Sequence, residues 1–476
     1  MSIAGVFTKG QQDAAELLSN AFGATSSLRD DIVCIRSIGK NIALGLLGRS
    51  VSLGQRLHQA KENCLLVGTL PVSLEFIDNC LSGNDGSEVA IPCCLNELKE
   101  AFAPLDGGYA AIVALASNLF GMRDPLGQHP LFSASTSSLT VLSSSRKILW
   151  ALADNEPQVH LGGTMTHFSS QTVRSYRIRN VCPPDVPMGA TFEEASASLS
   201  ELILNSVRTA VGSAKRVGVL FSGGLDSSVI ASVAKLLGLE TCLYTAAFRD
   251  ADRLLQAEET ARMLELDLEV SLVSEDETAE ALGHAVWAAE SSDPLQVSVA
   301  FPLDVAAQSA VRAGETVLLS GSGADELFGG YARYTRILGE SGEKELSERM
   351  YRDLLRLGET DLLRDGAIGE SNRIRLHAPF LNLRLVDFAL GLPLAFKVGG
   401  SGDSLRKIIL RESAKRLNMP AEVACSPKKA AQYSSGSQKA LRRLAGNVDI
   451  RVQEYLDSIL VDLRREIAER MRRVSR

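Results

Sequence analysis

Hydrophobic residues in the first part of the chain occur as short runs separated by Gly, Ser, Asn and Pro. The clearest runs cover residues 42–47, 64–70, 110–116 and 139–142. Runs of this length, bounded by turn residues, predict strands of a mainly antiparallel sheet, with some helices between them. We therefore expect an α+β domain over roughly the first 180 residues.

The pattern changes at Val217. Apolar runs at 217–221, 242–248 and 316–319 alternate with longer stretches of helical periodicity. This alternation is typical of a parallel α/β sheet. After Pro379 helical patterns dominate, and residues 453–476 mix Arg with Asp and Glu at the spacing of a surface helix.

A Pro-rich stretch, Val181-Cys-Pro-Pro-Asp-Val-Pro-Met-Gly189, lies between the two patterns and predicts a linker. A helix is expected directly after it, with Thr191 as its cap. A length of 476 residues also favours two domains. The predicted organisation is a domain at 1–180, a linker at 181–195, a second domain at 196–445 and a carboxyl-terminal helix at 446–476.

Composition limits the classes of partner. The net charge is −7, whereas binding to nucleic acid needs clustered positive charge. No stretch approaches the length of a membrane span, and the first 16 residues do not resemble a secretory signal. The eight cysteines include no CxxC pair and are expected to be free thiols, as in a reducing compartment. We expect a cytoplasmic protein without nucleic-acid or membrane partners.

The segment 216–235 carries the most informative motif, Ser-Gly-Gly-Leu-Asp-Ser-Ser at 222–228. A buried strand leads into Gly223 and Gly224, which let backbone amides approach a ligand closely, and a helix opens near Asp226. The N–H groups at a helix amino terminus bind anions. A carboxylate beside phosphate makes sense if Mg²⁺ bridges the two. The motif therefore predicts an anion-binding loop, and it resembles the pyrophosphate-binding loop of the ATP pyrophosphatases.

A second motif, Ser-Gly-Ser-Gly-Ala-Asp-Glu-Leu-Phe-Gly-Gly-Tyr at 320–331, follows the strand predicted at 316–319. Small residues again follow a strand, and Asp325 and Glu326 come after the glycines. Carboxyl ends of parallel strands meet at one edge of a sheet, where open α/β folds bind ligands. We expect Asp325 to complete a Mg²⁺ site with Asp226.

Together the two motifs resemble the asparagine synthetase family, which pairs SGGLDSS with SGxGxDExFGGY in this order. The resemblance covers about residues 196–440. Within the family, the sequence of these motifs is similar to that of archaeal synthetases and of asparagine synthetase domain-containing proteins. Further matching segments are Asp293-Pro294, Ser298–Pro302, Ala378–Asn382 and Ser426–Tyr433. The resemblance implies an ATP pyrophosphatase fold followed by a helical part.

The amino-terminal part resembles the class II glutamine amidotransferase domain, which is an N-terminal-nucleophile sandwich. The matching segments are Leu105–Ala110, Gly121–Leu131 and Ser143–Leu149. Glutaminases of this class use a cysteine exposed by removal of Met1, but this chain has Ser2, a much poorer nucleophile. The glutamine-binding NGExYN is also missing, since Leu66–Val72 replaces it. We expect a degenerate domain without glutaminase activity.

The second domain also departs from the family. Ser322 stands where a glutamate is usual, Arg375 and His377 replace a glutamate and an arginine, and Asn382 replaces an aspartate. The residues expected to bind phosphate are better preserved than those expected around the acceptor.

The resemblance implies that a carboxylate, that of aspartate in this family, attacks the α-phosphate of ATP and expels pyrophosphate, after which ammonia displaces AMP. Positioning and charge stabilisation would do most of the work. Asp226 and Asp325 would hold Mg²⁺, and Lys429 or Lys428 would neutralise the phosphates. The residues implied to contact ATP are Leu220, Ser222, Gly223, Gly224, Asp226, Ser227, Ser228, Ala247, Ser320 and Gly321.

Three functions remain open at this level. The first is an ammonia-dependent asparagine synthetase or a related amide ligase acting on small molecules. The second is an intramolecular amide former similar to β-lactam synthetases, although no Tyr–Glu pair of that kind is identified. The third is a non-catalytic ATP-binding protein. The acceptor and the oligomeric state, a homodimer among the options, also stay open.

Overall fold

A computed structural model describes most of the chain. The described residues are 2–10, 12–26, 32–38, 40–48, 64–68, 91–115, 117–153, 155–184, 189–248, 253–399, 406–426 and 436–474. The chain divides into two compact units. Unit 1 comprises residues 1–181, 358–373 and 458–476, and unit 2 comprises residues 182–357 and 374–457.

The strands and the helices of the described residues are numbered separately, each in chain order. The strands are β1 (Ser2–Thr8), β2 (Ile32–Ile38), β3 (Ile42–Gly48), β4 (Cys64–Gly68), β5 (Tyr109–Leu115), β6 (Asn118–Arg123), β7 (Phe132–Ser135), β8 (Leu139–Ser143), β9 (Gln158–Val159), β10 (Thr164–Phe168), β11 (Val173–Arg177), β12 (Arg216–Leu220), β13 (Glu240–Phe248), β14 (Asp267–Val273), β15 (Val317–Leu319) and β16 (Arg375–His377). The α-helices are α1 (Ala14–Thr25), α2 (Ile91–Phe102), α3 (Arg146–Leu152), α4 (Phe192–Val211), α5 (Leu225–Leu236), α6 (Arg253–Leu264), α7 (Thr278–Ala289), α8 (Pro294–Arg312), α9 (Ala324–Phe328), α10 (Ala332–Leu357), α11 (Asp361–Ser371), α12 (Leu383–Gly391), α13 (Ile408–Arg416), α14 (Ala421–Ala424), α15 (Ser437–Asn447) and α16 (Val452–Val474). Two short 3-10 helices lie at Pro379–Leu381 and Leu394–Phe396.

Unit 1 contains two sheets whose paired strands run antiparallel, as the short apolar runs predicted. One sheet has the order β2-β3-β1-β8-β7-β9 and the other the order β11-β10-β6-β5-β4. One core cluster joins Ile3 and Phe7 of β1 to Ile112 of β5, so the two sheets pack face to face. Helices α1 and α3 cover the first sheet, and α2 covers the second. The predicted α+β sandwich is therefore confirmed.

Unit 2 contains a parallel sheet with the order β14-β13-β12-β15-β16. Strands β12 and β13 are almost completely buried at their carboxyl ends, in keeping with their continuous apolar sequence. The predicted parallel α/β domain with a helical carboxyl-terminal part is confirmed. Thr191 forms a capping box with Glu194 at the start of α4, which agrees with the predicted cap.

Among the helices of the described residues, none combines the length and the hydrophobicity that a membrane-spanning segment requires.

Candidate active site

The loop at 222–228 is built by the strand before it and the helix after it. Strand β12 ends at Leu220, and α5 begins at Leu225 with Gly224 at the cap position. Glycine has no side chain to accept from the first N–H groups of the helix, which therefore stay available to an anion. The hydroxyls of Ser222 and Ser227 are 3.3 Å apart, at the long limit of hydrogen bonding. Phosphate oxygens can replace such weak contacts.

Helix α6 holds this loop from the outside. The carbonyl of Gly223 accepts hydrogen bonds from Gln256 Nε2 at 3.4 Å and from Thr260 Oγ1 at 3.3 Å. Gly223 has a φ of +69°, and a Cβ there would lie 2.8 Å from the Cα of Ala257. Only glycine satisfies both conditions without strain, which explains this position of the motif.

The sheet brings the second motif beside the first. Strands β12 and β15 are parallel neighbours, with Val219 opposite Leu319. Gly321 follows β15, and a Cβ on it would lie 2.8 Å from Asp226 Cβ and 3.0 Å from Ser227 N. The two motifs therefore meet at the carboxyl edge of the sheet, where the sequence placed them.

A lysine lies between the two aspartates. Lys407 Nζ donates to Asp226 Oδ1 at 2.5 Å and contacts Asp325 Oδ1 at 2.6 Å. The lysine side chain is 2% exposed, whereas those of Asp226 and Asp325 are 24% and 22% exposed. The carboxylates are therefore open to a ligand, and the ammonium is enclosed. We call these three residues the Lys–Asp triad.

Local structure and electrostatics both fix Lys407. Burial disfavours its charged form, but the carboxylates of Asp226 and Asp325 outweigh burial and raise the pKa of Lys407 above its ordinary value. Its backbone is left-handed, with φ 62° and ψ 44°, immediately before α13. A left-handed non-glycine residue costs on the order of 1–3 kcal/mol. A Cβ at Gly330 would overlap Asp325 Oδ1 and Lys407 Cε, so the second motif needs glycine there.

Glu326, the neighbour of Asp325 in the second motif, is not a member of the Lys–Asp triad. Tyr331 donates its hydroxyl to Glu326 Oε1 at 2.6 Å. Burial, and then the charge of Asp325, raise the pKa of Glu326 to about 7. The acidic pair of the second motif is thus divided, with Asp325 in the triad and Glu326 in a buried bond to tyrosine.

The donor set suits a magnesium ion that arrives with phosphate. Among the described residues, no group of three or more His, Cys, Asp and Glu side chains is placed to hold a metal. Asp226 and Asp325 nevertheless both reach one small cation, since each lies within 2.6 Å of the same nitrogen. Mg²⁺ commonly takes one or two carboxylates and completes its shell with water and substrate phosphates. The two aspartates fit that role.

Other predicted site residues have varied positions. Leu220 and Ala247 are buried near the carboxyl ends of β12 and β13, at the same sheet edge as the loop. Ser320 is also at this edge, and its hydroxyl donates to Ser322 Oγ at 3.2 Å. The hydroxyl of Ser228 is buried and has no hydrogen-bond partner in the described part of the chain. The predicted phosphate ligands Lys428 and Lys429 lie outside the described residues.

The residues that depart from the family have local roles. Asn382 Oδ1 caps α12 by accepting from the backbone N–H groups of Arg384 at 3.1 Å and Leu385 at 3.5 Å. The carbonyl of His377 accepts from Ser320 N at 2.8 Å. Arg375 Nε donates to the carbonyl of Thr316 at 3.3 Å. These contacts support the sheet edge around the second motif and the helix that follows it.

The position of the family's nucleophile is enclosed in unit 1. Ser2 is 3% exposed and donates its hydroxyl to Glu370 Oε1, on α11. Ser144 donates to Glu370 Oε2 at 3.1 Å and accepts from Ile3 N at 3.0 Å. The serine hydroxyl is therefore part of a partly buried network between β1, the end of β8 and α11.

An arginine holds another predicted segment of unit 1. Arg123 is fully buried and donates to the carbonyls of His129 at 2.7 Å, His160 at 2.5 Å, Gly127 at 2.5 Å and Gly358 at 2.9 Å. Burial lowers the pKa of Arg123 to about 10. The segment that resembles the amidotransferase domain thus has a clear structural function.

No sequence pattern indicated a role for Lys407, Glu370 or Gln256. Lys407 is 181 residues from Asp226, and Glu370 is 368 residues from Ser2. Neither belongs to a motif whose spacing indicates a site. Gln256 lies on a helix whose approach to the loop follows only from the order of strands in the sheet.

Comparisons with known proteins identify the family of the chain. Residues 198–341 and 337–463, together more than half of the chain, match the asparagine synthase family model. A candidate glutamine-hydrolysing asparagine synthetase of Methanocaldococcus jannaschii is 31% identical over 76% of this chain and 75% of its own length. The glutamine-hydrolysing asparagine synthetase of Gallus gallus is 24% identical over 77% of this chain and 70% of its own length.

A solved structure, the glutamine phosphoribosylpyrophosphate amidotransferase of B. subtilis with ADP and GMP, is 11% identical. It covers 57% of this chain and 65% of that one with a TM-score of 0.28, a superposition too loose to add to the fold assignment. The family match and the extent of the archaeal likeness are sufficient without it. The chain belongs to the asparagine synthase family.

Proposed function

We propose that the chain is an amide ligase that activates the side-chain carboxylate of aspartate with ATP and amidates it with free ammonia. The observation that carries this proposal is the meeting of the loop at 222–228 with Asp325 across β12 and β15. Family membership supports ATP-dependent amidation in general. The reaction needs only small-molecule partners, namely ATP, aspartate and ammonia.

In the first step a carboxylate oxygen of aspartate attacks the α-phosphorus of ATP. The bond from that phosphorus to the bridging oxygen breaks, and pyrophosphate leaves with the bond electrons. The loop amides and the free N–H groups at the start of α5 receive the pyrophosphate oxygens. Ser222 and Ser227 exchange their long mutual contact for phosphate.

In the second step ammonia attacks the acyl carbon, AMP leaves with its electrons, and the nitrogen gives one proton to solvent. Asp226 and Asp325 would hold Mg²⁺, which when bound neutralises charge on the phosphate oxygens. Lys428 and Lys429 stay assigned to the same phosphates. Leu220, Ala247, Ser320 and Gly321 are assigned to the nucleotide pocket at this sheet edge.

The surroundings of Ser2 in unit 1 support ammonia, and not glutamine, as the nitrogen source. Ser2 lies in place of the family's cysteine, and its hydroxyl is already bonded to Glu370. A serine hydroxyl needs an adjacent base to attack an amide, and a carboxylate engaged by two serines is a weak base for that purpose. Glutamine is therefore not the source in this proposal.

The test is pyrophosphate release from ATP and Mg²⁺ with aspartate, in the presence of either ammonium or glutamine. The proposal expects release with ammonium, none above background with glutamine, and none with ammonium in Asp226→Ala. Release with glutamine alone would contradict the ammonia assignment. Absence of release under all conditions, with ATP still bound, would contradict aspartate as the acceptor.

A further inference from the structure

The Lys–Asp triad occupies the place where the proposed function needs a divalent cation. Lys407 Nζ is 2.5 Å from Asp226 Oδ1 and 2.6 Å from Asp325 Oδ1, and its side chain is 2% exposed. The ammonium therefore occupies one oxygen of each carboxylate. A metal ion bound to the same two oxygens would fall within the space of the ammonium, since Mg²⁺ binds oxygen at about 2.0–2.1 Å.

We propose that Lys407 holds the cation position in the nucleotide-free protein, so that a divalent metal binds this site only together with the nucleotide. Metal alone would have to break both ion pairs of Lys407. It would also leave an enclosed ammonium without a counter-ion and next to a dication, which is strongly unfavourable. The aspartates by themselves thus make a poor metal site.

The nucleotide removes this obstacle. Its phosphates supply the oxygen ligands that two carboxylates cannot, and they supply a new acceptor for the displaced ammonium. The loop at 222–228 begins α5, which carries Asp226 in its first turn, so phosphate in the loop lies next to the triad. Lys407 then moves from the carboxylates to the phosphates.

The fold limits that movement to the side chain. The left-handed backbone of Lys407 leads directly into α13, and Arg411 on α13 donates to the carbonyls of Arg406, Ala424 and Ser426 at 2.5–2.9 Å. These bonds anchor the backbone on both sides of the lysine. The flexible four-carbon stem of lysine can still swing its ammonium between neighbouring acceptors.

The inference rests on the proposed function only in taking ATP with a divalent metal as substrate. Because thermodynamic coupling is reciprocal, metal and nucleotide must each strengthen the binding of the other. A lysine between two metal-binding aspartates is therefore a device that orders substrate binding, and it can be tested without turnover.

The test measures the binding of Mn²⁺ alone to the full chain. The electron paramagnetic resonance signal of free Mn²⁺ reports how much of the ion remains unbound. Wild type is expected to bind Mn²⁺ at this site at least about tenfold more weakly than Lys407→Gln does, within the range typical of coupled sites. Lys397→Gln is the matched control, since Lys397 is also a buried lysine of unit 2 but has no ion pair with Asp226. Adding Asp226→Asn to Lys407→Gln should remove the gained site.

Equal Mn²⁺ binding by wild type and Lys407→Gln would overturn the inference. A second measurement decides the matter if Lys407→Gln does not fold. The melting temperature of wild type should not change with Mg²⁺ alone and should rise with ATP plus Mg²⁺ more than with ATP plus chelator. A rise with Mg²⁺ alone would also overturn the inference. Neither result depends on pyrophosphate release, so failure of the ligase assay would leave this test intact.

Discussion

In unit 1 the residue at the family's nucleophile position, Ser2, is bonded to Glu370, whereas in unit 2 Asp226 and Asp325 share the ammonium of Lys407. Ser2 is 3% exposed, but the aspartate side chains are 24% and 22% exposed. Both networks join distant parts of the chain. The network of unit 1 encloses its reactive position, while that of unit 2 leaves the carboxylates accessible, so unit 2 is where we expect chemistry.

The largest expected effect is structural and lies in unit 1. Arg123→Met leaves the buried carbonyls that Arg123 serves without a donor, and should lower the free energy of unfolding by about 3–5 kcal/mol. The chain has one tryptophan in each unit, Trp150 and Trp287. Urea unfolding followed by Trp150 fluorescence, in a Trp287→Phe background, measures the effect.

Arg177→Met is the control for that change. The side chain of Arg177 donates to the carbonyl of Gly162 at 2.8 Å from an exposed position in the same unit. It should cost less than about 1 kcal/mol. An equal cost for both variants would show that the buried arginine has no special structural role.

The next effect is catalytic and lies in unit 2. Asp226→Asn keeps the shape of the side chain but removes the charge that pairs with Lys407 and would hold Mg²⁺. Pyrophosphate release with aspartate and ammonium should fall by about 10²–10³-fold, the range for losing one electrostatic group of an active site. Asp267→Asn, an exposed aspartate at the start of β14, should retain wild-type activity. Retained activity in Asp226→Asn would separate the triad from the reaction.

Replacing the buried Lys397 of unit 2 is expected to change stability by an amount that depends on pH. Burial lowers the pKa of Lys397 to about 7, whereas an unfolded lysine keeps its proton until about pH 10.4. Between these values the unfolded chain binds more protons, so stability rises with pH. Lys397→Met should therefore be more stable than wild type at pH 6, by on the order of 3 kcal/mol, and the difference should shrink towards pH 10.

The measurement is urea unfolding followed by Trp287 fluorescence in a Trp150→Phe background, from pH 6 to pH 10. Lys235→Met is the control, because Lys235 is exposed and paired with Glu265 at 2.9 Å. Its difference from wild type should stay within about 1 kcal/mol at every pH. A constant difference for Lys397→Met would contradict the pKa assigned to that lysine.

The smallest expected effect returns to unit 1. Ser2→Cys restores the residue type of the family's nucleophile, yet glutamate release from glutamine should stay at the wild-type background. The carboxylate of Glu370 beside the thiol disfavours its ionised form. Ser2→Cys combined with Glu370→Gln removes that charge and is the more demanding variant. Glutamate release by either one would contradict the prediction that this domain lacks glutaminase activity.

Residues close in sequence to a strand end were predictable, and residues joined only by the tertiary fold were not. The loop at 222–228 and Asp325 each follow a strand of a parallel sheet, and such strands end at one edge. Thr191 was recognisable as a cap because its partner Glu194 is three residues away. In local patterns of this kind, the spacing of residues in the sequence indicates which of them lie close together in the structure.

Lys407 and Glu370 could not be found in this way. Lys407 is 181 residues from its partner Asp226, and Glu370 is 368 residues from its partner Ser2. Neither hydrophobic periodicity nor turn chemistry predicts contacts between residues so far apart in the sequence. Asn382 shows a related limit. The sequence placed it among residues near the acceptor, whereas in the structure its side chain caps α12. An aspartate and an asparagine cap a helix about equally well, so the family difference at this position is compatible with an unchanged fold.

One mass-spectrometric experiment with isotopic labels tests the proposed amide ligase reaction as a whole. The reaction contains ATP, Mg²⁺, aspartate labelled with ¹⁸O in its side-chain carboxylate, ¹⁵N-ammonium and unlabelled glutamine. We expect AMP that carries one ¹⁸O, because a carboxylate oxygen attacks the α-phosphorus, together with an amide that carries ¹⁵N. AMP without ¹⁸O, formation of ADP in its place, or an amide with unlabelled nitrogen would contradict the proposed reaction.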